Sequence, residues 1–147
     1  MGRGMGRTAP FQTPKKWVRI ADCCRLNPQE RNLSDIPLLS IDETLQRMSG
    51  DRELLVNLFQ LYIDDAPKKL RGIEEYAGAG EFYQIERTAH SLKGASATVG
   101  AARLCGLAAD LEQAAKAGSQ DRIDALRVEL SRVCDQTLES MRRFCAD

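Results

Sequence analysis

From Ser40 to Cys145 the apolar residues return every three or four positions and nowhere every two, so this stretch can bury them only as helices. Glycine and proline divide it. Ser40-Ile41-Asp42-Glu43 reads as a capping box, with Ser40 at the N-cap and Glu43 at the third helical position, and opens a short helix that stops near Gly50. A second helix starts near Asp51 on Leu54, Leu55, Leu58 and Tyr62; Pro67 either kinks it or restarts it on Leu70, Ile73 and Ala77, and Gly78 and Gly80 end it. The third, Glu81 to about Val99, sets Phe82, Ile85, Ala89, Leu92, Ser96 and Val99 in one inward stripe before Gly100. The fourth, Ala101 to Ala117, repeats the stripe with Leu104, Leu107, Ala108, Leu111 and Ala115, and Gly118 closes it. Ser119 caps the fifth, which runs to about Cys145 on Ile123, Leu126, Leu130, Val133, Thr137, Met141 and Phe144. Connections this short set successive helices antiparallel. The expected fold is all-α, an antiparallel up-and-down four-helix bundle over residues 40–147 with a short extra helix at its N-terminal end.

Residues 1–39 lack sustained periodicity and read as a flexible or irregular arm, although Trp17 to Cys24 (WVRIADCC) suits a helical turn or a short strand. Residues 1–31 hold seven basic side chains against two acidic, in a chain whose formal net charge is zero. The arm reads as a solvated tail rather than a nucleic-acid or lipid contact. A chain of 147 residues can bury one helical core without staples. Its five cysteines, Cys23, Cys24, Cys105, Cys134 and Cys145, are odd in number, scattered and distant from the histidine, so they suggest small core fillers in a reducing compartment, with neither a disulfide framework nor a metal site. No apolar run reaches the roughly 18 residues of a membrane span, and MGRGMGRTAP has no apolar stretch of signal-peptide length behind it. A cytoplasmic, membrane-free monomer is expected.

The chemistry concentrates on His90, the one histidine of the chain. At about 100° per residue it stands roughly 130° from the centre of the third helix's inward stripe, on the solvent-facing flank. Glu86, Lys93, Gly94 and Ala97 share that flank. A glycine in an exposed helix interior costs about 1 kcal/mol relative to alanine, and Gly94 points almost directly away from the core, which favours clearance for an approaching protein over internal packing. Lys93, one turn from His90, can pair with the roughly two negative charges of a phosphoryl group on the ring. A neutral imidazole is itself a nucleophile, so no dedicated base is required, and nowhere in the chain does the sequence offer an acid–base candidate near His90 other than Glu86.

Singly these signals are weak, since a lone helical histidine is usually an ordinary surface residue. Together, Thr88-Ala89-His90-Ser91-Leu92-Lys93-Gly94, then Gly100, Leu104 and the pair Leu111-Glu112, resemble the signature of the histidine-containing phosphotransfer (HPt) domain family. The resemblance covers residues 40–145. It implies that His90 is phosphorylated on its outward nitrogen by a receiver-domain phospho-aspartate and passes the group to another receiver, as a phosphocarrier rather than an enzyme. It implies phosphate-supporting and clearance roles for Lys93 and Gly94, and receiver domains and a hybrid histidine kinase as partners. No cofactor is expected on this chain; Mg²⁺ belongs to the receiver. Glu86, Ala97, Glu112, Gln113 and Lys116 are candidate docking residues, and the short first helix (Ile41, Leu45, Met48) either caps the end near the histidine or plugs the core. Two other readings remain: the phospho-accepting domain of a histidine kinase, whose nucleotide loop this chain lacks, and a non-catalytic helical adaptor.

Overall fold

The computed structural model describes residues 35–147, in which there are five helices and no strand. They are α1 (Ile41–Arg47), α2 (Arg52–Ala79), α3 (Phe82–Val99), α4 (Ala102–Lys116) and α5 (Gln120–Ala146). Helix α2 packs on α3, α3 on α4, α4 on α5, and α5 closes the ring on α2, which is the up-and-down four-helix bundle, with α1 lying against it. None of these helices is long and apolar enough to cross a membrane.

The core follows the three-and-four spacing, with one shift of register. In α2 the buried residues are Leu55, Phe59, Tyr62, Ala66, Ile73 and Ala77, whereas Leu54 faces solvent and Leu58 is half-buried. Leu54 and Leu55 differ by about 100° around the helix, so only one can join the stripe, and Leu55 is the one four residues before Phe59. Phe59 meets Phe144 of α5 edge to face, 5.3 Å between centroids at 72°. Burying a large apolar side chain in this way is worth about 1.5–3 kcal/mol. The same packing carries α2 unbroken through Pro67: Ala66 and Ile73 are buried on either side of a residue that costs an isolated helix about 3 kcal/mol. The helix likewise continues past Gly78 and ends at Gly80.

One helix N-terminus, not among those expected from the sequence to be capped, carries a side-chain cap. Asp51 Oδ1 accepts from the Leu54 N–H at 3.0 Å at the start of α2. Ser40 and Ser119 occupy the N-cap positions of α1 and α5, but neither hydroxyl caps its helix. The Ser40 capping box does not form because the Ser40 N–H, which Glu43 would have to accept from, donates to the Gly100 carbonyl at 2.8 Å instead. That bond ties α1 to the α3–α4 corner. Arg47 adds a second tie, donating to the Ala97 carbonyl at 3.2 Å. At the corner Gly100 has φ +81°, and a Cβ there would collide with Thr44 Oγ1. Ile41, Leu45 and Met48 are half-buried against the core, so α1 does plug one end of the bundle.

The inner end of the expected arm belongs with the bundle. Ile36 is buried, its carbonyl accepts from Arg103 Nε at 2.8 Å, and Leu38 and Leu39 pack on the core. Cys105 and Cys134 are buried and Cys145 is half-buried, none of the three in a disulfide, with burial pushing the Cys134 thiol up to about 11. The Trp17–Cys24 segment, with Cys23 and Cys24, and the basic stretch lie outside the described residues.

Candidate functional site

The five residues that α3 buries, Ile85, Ala89, Leu92, Ser96 and Val99, orient the whole helix. Ser96 is held by a buried hydrogen bond of 2.7 Å with the Tyr62 hydroxyl, so the rotation of α3 is fixed by a polar contact as well as by packing. With that face inward, His90 projects outward, its side chain 68% exposed.

The ring is nonetheless held at one atom. His90 Nδ1 lies 3.0 Å from Glu112 Oε2 on α4, and Lys93 Nζ donates to Glu112 Oε1 at 2.7 Å. Lys116 Nζ stands 3.8 Å from Oε2. The Glu112 side chain is only 8% exposed. Burial pushes its carboxyl up, but the hydrogen bonds from Lys93 and His90, with their charges, outweigh that and hold it below the ordinary value of 4.5. Glu112 is therefore an anion at neutral pH. An anionic carboxylate can only accept, so the neutral ring keeps its proton on Nδ1 and presents the Nε2 lone pair.

The sequence offered Glu86 as the acid–base candidate near His90, and Glu112 as one docking residue among several. Three-dimensional packing gives the ring contact to Glu112. Glu86 is half-buried and lines a shallow depression of about 510 Å³ with Tyr83, Arg87, His90, Ser91 and Glu112, without bonding the ring. The signal for Glu112 was present: it lies four residues after Ala108 and three before Ala115, a carboxylate at the edge of an otherwise apolar stripe. Such a group needs a partner, and the neighbouring helix carries the histidine and the lysine.

The other candidates divide. Gly94 is exposed, and a Cβ built on it would meet nothing within 4 Å, so open space lies beside the imidazole. Ala97 is half-buried and contributes its carbonyl to Arg47. Gln113 is exposed and bonds none of these side chains. Among the described residues no three His, Cys, Asp or Glu side chains gather as a metal site.

A model of the Hpt domain matches residues 57–136, more than half of the chain and all of the helices that build the site. The chain belongs to the Hpt domain family. Hpt proteins are phosphocarriers of phosphorelays. Among solved structures the chain is similar to histidine-containing phosphotransfer protein B (HptB) from Pseudomonas aeruginosa PAO1, at 24% identity and a TM-score of 0.70, over 75% of this chain and 96% of that one. That likeness supports the fold. No curated protein matches the chain.

Proposed function

We propose that this Hpt protein is a phosphorelay intermediate in which His90 takes a phosphoryl group from the phospho-aspartate of one receiver domain and yields it to another. The observation that carries the reading is the exposed ring whose Nδ1 is held by a buried carboxylate. Attack by Nε2 forms an N–P bond as the acyl-phosphate P–O bond breaks and the aspartate leaves with the electron pair. No proton has to move. The ring becomes cationic, and Glu112, 3.0 Å from Nδ1, stabilises that charge in the way a triad carboxylate stabilises an imidazolium. Return of the group to an aspartate reverses each event, so direction follows the relative amounts of the two receivers.

Phosphoryl transfer depends mainly on alignment and on charge spread over the equatorial oxygens. Lys93, one turn from His90, supplies a cation from this side. Mg²⁺ in the receiver's acidic pocket would supply the rest, and this chain's share is the nucleophile, its orientation and the clearance over Gly94. The experiment is incubation with a phosphorylated receiver domain and, separately, with ATP and a kinase's isolated ATP-binding domain. Labelling by the receiver alone is expected. Labelling by the ATP-binding domain alone would instead make the chain a kinase's phospho-accepting domain.

A further inference from the structure

The carboxylate that holds the histidine serves more cations than one state needs. Glu112 Oε1 accepts from Lys93 at 2.7 Å, while Oε2 faces both His90 Nδ1 at 3.0 Å and Lys116 Nζ at 3.8 Å. Without phosphate, Lys93 and Nδ1–H satisfy both oxygens, and Lys116 stands just beyond hydrogen-bond range, 47% exposed.

A phosphoryl group on Nε2 changes this. The two nitrogens of an imidazole point in divergent directions, so the phosphoryl oxygens and Glu112 lie on opposite sides of the ring. The Lys93 ammonium cannot close on both. If it turns to the phosphoryl group, which brings about two negative charges, a carboxylate only 8% exposed loses its nearest cation. Losing one partner of a largely buried pair is costly. Lys116, one turn after Glu112 on α4, needs only a change of rotamer to replace it, and its orientation relative to Glu112 is the favourable one for a helical pair.

We propose that Lys116 is a positioning residue that takes over Glu112 when Lys93 turns to the phosphohistidine, so that the carboxylate stays ionised and keeps hold of Nδ1. This rests on the phosphocarrier reading above. It predicts that Lys116 matters in the loaded protein and hardly at all in the unloaded one.

The test loads the full chain with phosphoramidate, which needs no docking partner: the Nε2–P bond forms as the donor's P–N bond breaks and ammonia leaves. Loading is checked on a phosphate-affinity gel, and urea unfolding is followed with and without the label. Lys116→Met should raise the unfolding constant of the loaded protein about three- to tenfold, and that of the unloaded protein less than about twofold. Lys116→Arg should restore it, and Lys116→Met should add nothing in a Glu112→Gln background. Equal effects in both states would reduce Lys116 to an ordinary helical pair and overturn the proposal, as would an effect that persists without the carboxylate. Absence of label on the wild-type protein would instead overturn the phosphocarrier reading, and this proposal with it.

Discussion

Removing the Glu112 carboxylate separates the chemical role of this residue from a docking role. Glu112→Ala deletes a hydrogen bond between a carboxylate and a ring that becomes cationic in the transfer step, 3.0 Å long and 8% exposed on the acceptor side. Hydrogen bonds to charged groups contribute about 1.5–3 kcal/mol, and each 1.36 kcal/mol is tenfold in rate, so uptake should slow by about 10- to 150-fold. Glu112→Gln keeps an oxygen that accepts from Nδ1–H and loses only the charge, so it should fall between, slowed about five- to tenfold. Stability should move little in either case, within about 1 kcal/mol: Lys93 and Lys116 are 26% and 47% exposed and can hydrate, and a largely buried charge is removed. The assay is the initial rate of uptake from phosphoramidate alongside uptake from a phosphorylated receiver. A Glu112→Ala variant that loads from phosphoramidate at the wild-type rate, yet slowly from the receiver, would refute the orienting role and leave a docking contact.

Three further outcomes follow from the same geometry. The Glu112 carboxyl is held below its ordinary value in the folded state, so its stabilising contribution is present above about pH 4.5 and is lost as pH falls through the lower folded value; between pH 7 and acid the urea midpoint of the wild type should fall further than that of Glu112→Gln. Gly94→Leu adds a side chain where nothing lies within 4 Å; thermal stability should hold or rise by up to about 1 kcal/mol, transfer from a receiver should fall at least about tenfold, and loading by phosphoramidate should persist. Gly100→Ala, at φ +81° and against Thr44 Oγ1, should destabilise the fold by about 2 kcal/mol in denaturant melts and loosen α1, read as faster amide exchange at the Ser40 N–H.

The bundle was legible because each helix repeats its apolar stripe at helical spacing and the turns at Gly80, Gly100 and Gly118 carry positive φ. The outward placement of His90 and the space over Gly94 followed from rotation angles along one helix. What spacing within one helix cannot show is what stands across from it. Glu112 is 22 residues from His90, and only the packing of α4 on α3 brings its carboxylate to the ring. The capping box at Ser40 fails for a similar reason. Its sequence signal is local, whereas the Ser40 N–H is claimed by Gly100 across the fold. Leu54 was misplaced because adjacent leucines satisfy a stripe equally well until packing selects one, here Leu55, in step with Phe59, whose ring meets Phe144 of α5.

The most direct test of the central claim is the site of the label itself. Incubated with a phosphorylated receiver domain, the wild-type protein should acquire an acid-labile, alkali-stable phosphoryl group that maps to His90, and His90→Gln should acquire none while melting like the wild type, since the ring is exposed. Label retained by a folded His90→Gln variant, or an adduct stable in acid, would contradict the assignment of the imidazole as the carrier.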